Sequence, residues 1–366
     1  MSAHVIDRTP HWSWLGPVLA CVFVGVAMGL GLPMDNPFVI GAASILLGVS
    51  VFAAVHHAEV LALRVGEPFG SLLLAVAVTT IEVALIISIF LSDAPGAGEV
   101  ARDTVFSAVM IVLNGVVGLS LIVGGRRHHE QVFMFDGVSA ALGVLGTLAV
   151  LALVLPNFTT TTEGPIYSAT QLGFVGAVSL VLYGLFVFVQ TVRHRDYFAD
   201  PNGAGHGDGA PLKPGAKVTG ASGVLLVVAL VVVILIAKLL SYPLNSLISH
   251  AGFPASFAGV VIAAIVLLPE AMASLRAASA NQLQNSLNLA LGSAIASIGL
   301  TIPAVALVAV VMGRQLVLGL PAGQMVLLVL SLFISTLTLG TGRTTVLQGA
   351  VHLVIFAVFL FLAAVP

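Results

Sequence analysis

The stretch Ser71-LLLAVAVTTIEVALIISIF-Leu91 decides the fold class: it is an unbroken apolar run with one acid, Glu82, near its middle. About 20 such residues cross a hydrocarbon core of about 30 Å as a helix. A second stretch, Phe257-AGVVIAAIVLLPEAMAS-Leu275, repeats the design around Glu270. Almost every other charge falls between apolar segments, near their ends or outside them. A carboxylate at mid-membrane depth costs a few kcal/mol even on permissive insertion scales, so an intramembrane acid marks a functional site by default. Two of them, in segments that look like copies, point to a cation or proton site.

The rest of the chain shares this character. Of its 366 residues 59% are hydrophobic and 8% charged, and the mean hydropathy is +1.14. Soluble domains carry about 25% charged residues, so this composition cannot clothe a water-facing surface. The expected fold is an all-α polytopic membrane protein; a transmembrane barrel would show alternating segments of about ten residues instead. Eleven spans are predicted, near 14–32, 37–55, 69–91, 104–124, 137–155, 167–191, 219–240, 256–275, 286–312, 323–339 and 345–365. The one cysteine, Cys21, excludes an intrachain disulfide and reads as a small residue facing lipid or a helix. The segment Trp14–Leu32 reads as a retained first helix, since no small-residue cleavage site follows it.

Charge placement predicts topology. With a cytoplasmic N-terminus, ten of the thirteen basic residues fall inside: Arg8, Arg64, Arg126, Arg127, Arg193, Arg195, Lys213, Lys217, Arg276 and Arg343. Only Arg102, Lys238 and Arg314 fall outside. The positive-inside rule then gives N-in and C-out, in a bacterial inner membrane. Between spans six and seven, residues 193–218 are rich in Gly, Pro and charge and read as a cytoplasmic linker. The predicted division is an extra helix over 1–35, a five-helix repeat over 36–192, the linker, and a second five-helix repeat over 219–366. With five spans each, the repeats have opposite orientations, an arrangement that places a substrate site at the bilayer midplane. Glu82 and Glu270 fall in the second span of their respective repeats.

The surroundings of the acids differ. Pro269 precedes Glu270, and a proline frees the carbonyl four residues back, Ile265; a carbonyl freed at membrane depth needs protein, water or an ion. Glu82 instead has Thr79 and Thr80 before it, and Thr79 shares its helix face; the hydroxyls either ligate a cation or bond back to the helix. The next span of each repeat carries a polar stripe: Asp103, Ser107, Asn114 and Gly118 in the first, Asn285, Asn288, Gly292, Ser293 and Ser297 in the second. Asn114, Asn288 and Ser293 are expected to line a pathway, while Gly118, Gly292 and Ser297 fit close helix packing. An asymmetric site follows. His56-His57-Ala58-Glu59 is expected at the membrane interface, because adjacent histidines point to different helix faces. Gly66-Glu-Pro-Phe-Gly70 reads as a turn, and His206 and Asp208 as solvated linker residues.

At this point the chain resembles a known group. Ala58-EVLALRVGEPFGSLLLAVAVTTIEVALIISIF-Leu91 and Ala255-SFAGVVIAAIVLLPEAMASLRAASANQLQNSLNLALGSAIASIGLTI-Pro303 are similar to the two α-repeats of the cation/Ca²⁺ exchanger superfamily. Arg102-Asp-Thr104, Gly66-Glu-Pro68 and Gly342-RTTVLQGAVHL-Val354 bring it nearest to ChaA-type calcium/proton antiporters. The resemblance implies that Glu82 and Glu270 bind the cation and take protons in exchange, and that the helices around them are broken, which fits Pro269. It also marks departures. Val78-Thr79-Thr80 and Leu267-Leu268-Pro269 stand where many members have Gly-Asn-Ala. Val109-Met110 stands where the first copy would carry the Gly-Ser kept as Gly292-Ser293, and an acidic regulatory helix between the halves is missing. These losses remove oxygen ligands, and ChaA-type members are associated with Na⁺ and K⁺ as well as Ca²⁺.

The expected function is therefore secondary antiport of Ca²⁺ against H⁺, with Na⁺(K⁺)/H⁺ antiport at the same acids as the alternative. Ca²⁺, or Na⁺ or K⁺, is a substrate, and no cofactor is expected. The expected partners are inorganic cations, protons and the lipid bilayer, with no nucleic acid. An intramembrane enzyme is the competing class. It would need a nucleophile, base or metal motif at membrane depth, and the chain has no HExxH, GxSxG or Walker A sequence. A non-catalytic subunit leaves the two matched acids without a purpose.

Overall fold

The computed structural model describes residues 10–33, 36–66, 69–91, 96–201 and 214–366. Glu67 and Pro68 of the expected turn, and His206 and Asp208 of the linker, lie outside the described residues. Eleven helices in the described residues are long and apolar enough to cross a membrane, one for each predicted span. The protein is an all-α, multi-pass membrane protein.

The helices divide into two compact units that do not follow chain order. One holds α1 (His11–Leu30), α2 (Pro37–Val65), α3 (Phe69–Phe90) and α8 (Ala216–His250). The other holds α4 (Val100–Met110), α5 (Val117–His128), α6 (Phe135–Ala149), α7 (Ala169–Phe188), α9 (Phe257–Ser279), α10 (Leu283–Met312), α11 (Ala322–Leu339) and α12 (Val346–Ala364).

In the first unit α2 is central and packs against α1, α3 and α8. Its start is set by Asn36, whose side chain accepts from Phe38 N at 2.9 Å, with Pro37 pre-set for the first turn. A proline builds the junction with α1. Ser13 would normally offer its carbonyl to the amide four residues on, but that residue is Pro17, which has no N–H. His57 takes the vacant carbonyl: its Nε2 lies 3.0 Å from Ser13 O, and its Nδ1 lies 3.2 Å from Ser222 Oγ on α8. His57 is fully buried, while the ring of His56 packs against Trp12. The two histidines do take different faces, but His57 sits inside a three-helix joint, because a freed carbonyl was there to receive it. The same joint fixes directions. The late α2 residues His57 and Arg64 meet Ser222 and Pro214, at or just before the start of α8. So α2 and α8 are antiparallel.

In the second unit α4 and α5 form one span, joined by a π-helical turn, Ile111–Val116. Further π turns follow α6 (Val150–Val154) and α7 (Val189–Arg193). Close packing relies on glycines. A Cβ on Gly259 would lie 2.7 Å from the backbone of Asp103, so α9 and α4 touch main chain to main chain there. A Cβ on Gly349 of α12 would lie 2.7 Å from Gly118 O on α5. Small residues at such crossings give helices van der Waals contact that lipid cannot supply. A short antiparallel pair, β1 (Gln131–Val132) with β2 (Arg343–Thr344), ties the turn after α5 to the turn before α12.

Candidate functional site

Glu82 and Thr79 lie on the buried face of α3, in the first unit, each 4% exposed. Val78, Ile81, Leu85, Ile86 and Ile89 share that burial, so the acid stands in an apolar stripe whose packing partners within the unit are α2 and α8. Thr80 faces outward, and its hydroxyl bonds back to Val76 O at 2.7 Å. Of the two threonines only Thr79 lies on the acid's face.

Glu270 lies on α9, in the second unit, and is half-buried behind the buried Pro269. The helix is continuous from Phe257 to Ser279 with the proline inside it. Pro269 thus withholds a hydrogen bond from Ile265 without ending the helix. One turn beyond Glu270, on the same face, Ser274 Oγ donates to Ser286 O at 3.0 Å, and lies 2.8 Å from Ser286 Oγ and 3.4 Å from Ser120 Oγ. These contacts join α9 to α10 and α5. With Gly259 against Asp103 and Ser274 against Ser120, α9 runs parallel to the α4–α5 span in nearly constant register. Glu270 is therefore level with Asn114–Val116, inside the π turn and at the middle of the Val100–His128 span. The backbone irregularity at this depth lies in the neighbouring span. π turns are rare, and many sit at functional sites.

Asn114 is fully buried on that turn. Its Nδ2 donates to Ser331 Oγ of α11 at 2.8 Å, and its Oδ1 lies 3.1 Å from His352 Nδ1 of α12. Asn288 of α10 is half-buried; its Nδ2 donates to Phe198 O at 2.7 Å, and its Oδ1 accepts from Gln284 Nε2 at 2.9 Å. That pair holds the first linker residues against the helix. Ser293 is half-buried, Ser297 is buried, and a Cβ on Gly292 would meet nothing within 4 Å. Close packing thus describes Gly118, whereas Gly292 borders open space.

A second set of charges is structural. Arg102 and Asp103 form a buried pair at 2.8 Å near the start of α4, and Arg102 also meets Glu99 at 3.2 Å and Gly319 O at 3.4 Å. Ser107 caps the arrangement by donating to Asp103 O at 2.6 Å. Between the spans, Tyr167 donates to Leu151 O at 2.6 Å, and burial pushes its phenol up to about 12. Among the described residues no three His, Cys, Asp or Glu side chains gather to hold a metal ion. The oxygen groups placed by the acids are the Thr79 hydroxyl on Glu82's face and, around Glu270, the Ser274 cluster and the Ile265 carbonyl, a chemistry that suits hard ions. Sequence reasoning singled out the acids, Asn114 and Asn288 as candidates. It missed His352, Ser331 and Ser274, whose roles come from residues more than ten positions away; the only signal was His352's place in Gly342–Val354.

Comparison with known proteins supplies the context. The family described as "Sodium/calcium exchanger protein" matches residues 36–192 and 221–365. A candidate ionic transporter of Sinorhizobium fredii is 56% identical, over 100% of this chain and 98% of its own. The sodium-potassium/proton antiporter ChaA of Escherichia coli is 36% identical over 97% of both chains. Among solved structures, native YfkE superposes with a TM-score of 0.73 at 18% identity, covering 97% of this chain and all of its own. The H⁺/Ca²⁺ exchanger CAX gives 0.70 at 15% identity, covering 95% and 88%. At such identities the two structures speak for the fold.

Proposed function

The chain belongs to the sodium/calcium exchanger protein family, and from that premise we propose that it is a proton-driven antiporter exporting Ca²⁺ through the bacterial inner membrane. The observation that carries the proposal is one intramembrane acid, Glu82 or Glu270, in each of the two blocks of sequence that match the family. Protons from outside neutralise the acids, and their release to the cytoplasm leaves two carboxylates to bind the cation. Two protons or one divalent ion cancel the same charge, so both loaded states avoid the cost of bare carboxylates in a low-dielectric interior. Thr79, Asn114, Asn288 and Ser293 line the pathway in this scheme, and Pro269 leaves the Ile265 carbonyl available near Glu270. The two family-matched blocks and the antiparallel α2 and α8, which open them, support the inverted-repeat reading. The cytoplasmic N-terminus rests on the ten-to-three distribution of basic residues.

One observation favours a second reading, Na⁺(K⁺)/H⁺ antiport at the same acids. The Escherichia coli relative is by name a sodium-potassium/proton antiporter. Dequenching of a ΔpH dye in inverted vesicles on adding Ca²⁺, Na⁺ or K⁺ separates the two. Glu82→Gln or Glu270→Gln is expected to abolish exchange of every ion with normal membrane insertion. Full exchange by either variant would sink both readings.

A further inference from the structure

We infer that His352 is a positioning residue that sets the cation preference of this antiporter by fixing the amide of Asn114. The inference rests on the cation-exchange reading above. Its starting point is hydrogen-bond bookkeeping. Ser331 Oγ has one proton, which it gives to Leu327 O at 2.8 Å or to Met110 Sδ at 3.4 Å. It therefore accepts from Asn114, which assigns the amide nitrogen to the Ser331 side at 2.8 Å. The amide oxygen then faces His352. An amide oxygen only accepts, so His352 Nδ1 must carry a proton and donate it across the 3.1 Å gap. The network thus fixes both the amide orientation and the ring tautomer.

The packing holds this arrangement. His352 is fully buried, and the missing side chain of Gly118 makes room for it: a Cβ at Gly118 would lie 3.0 Å from His352 Cβ. The fixed amide lies level with Glu270, on the turn against which α9 packs. A second neighbour, Met110, presents a soft thioether, 3.8 Å from Asn114 Nδ2. Hard divalent ions take six to eight oxygens. An amide oxygen held on α12 by a donor is an oxygen withheld from such an ion. His352 consequently biases exchange away from Ca²⁺ and toward monovalent cations.

The test compares His352→Leu, His352→Phe and His352→Asn in proteoliposomes, reading the KM for Ca²⁺ and for Na⁺ or K⁺ in ΔpH-driven exchange. Leu and Phe remove the donor while filling the space; Asn keeps a donor near the place of Nδ1. Freeing the oxygen should lower the Ca²⁺ KM about five-fold, the scale of one hydrogen bond, and leave the monovalent KM within about two-fold. His352→Asn should stay near wild type, and the Leu effect should vanish in an Asn114→Ala background. The inference is overturned if Leu and Phe leave the Ca²⁺ KM unmoved, or if all three variants lose every ion equally. It is also overturned if Leu and Phe fail to assemble where Asn succeeds, since the bond then serves the fold alone. Wild-type protein that exchanges no cation, or a Glu270→Gln variant that exchanges normally, takes down the antiporter reading itself.

Discussion

At the scale of single residues, the two acids occupy unlike surroundings. Glu82 stands in an apolar stripe with Thr79, whereas Glu270 has a proline before it and a serine cluster one turn on. The cluster makes a local prediction. Ser274→Val removes the donor to Ser286 O and leaves buried hydroxyls with fewer partners, so stability should fall by about 1–3 kcal/mol. Thermal unfolding in detergent should show a lower midpoint; an unchanged midpoint would mean that the serines are passive spacers. The acids were legible in the sequence because a lone charge in an apolar run has few explanations. Ser274, Ser331 and His352 were not, because a small or aromatic polar residue in a helix declares its partner only when another helix arrives beside it.

At the scale of elements, hydropathy located the spans, since length and apolarity are set by the bilayer rather than by the fold. It did not reveal the π turn at Ile111–Val116, whose extra residue per turn is chosen by packing against α9, α11 and α12. Two substitutions probe how the elements fit. Gly259→Val would drive a side chain into the backbone of Asp103 and Thr104. Forced overpacking costs about 1–3 kcal/mol or more, so lower yield and a lower thermal midpoint are expected; wild-type stability would show that α4 and α9 can part freely. Pro269→Ala returns an N–H to Ile265 O and should stiffen α9, raising stability by about 1–3 kcal/mol while slowing exchange in vesicles. Faster exchange would remove the freed carbonyl from the mechanism.

At the scale of the whole molecule, sequence order misleads. The two family-matched blocks run in series along the chain, yet the compact units draw α1, α2, α3 and α8 together and leave the rest in another. Contacts among helices distant in sequence decide that grouping, and a hydropathy pattern carries no record of them. Sidedness can be measured directly. With Cys21→Ser giving a cysteine-free background, Arg314→Cys should react with an impermeant maleimide added to intact cells, and Lys217→Cys only after lysis. The reverse pattern would invert the topology. A last consequence comes from the joint between α1 and α2, which is an evolutionary contract between two positions. Ser13 contributes a peptide carbonyl, which any residue there would supply, and its own buried hydroxyl donates to Pro10 O at 2.9 Å. Pro17 and His57 are bound to one another, because each makes the other useful. Restoring an N–H at position 17 reclaims the carbonyl for α1 and strands the ring, so lineages that lose this proline should lose the histidine with it.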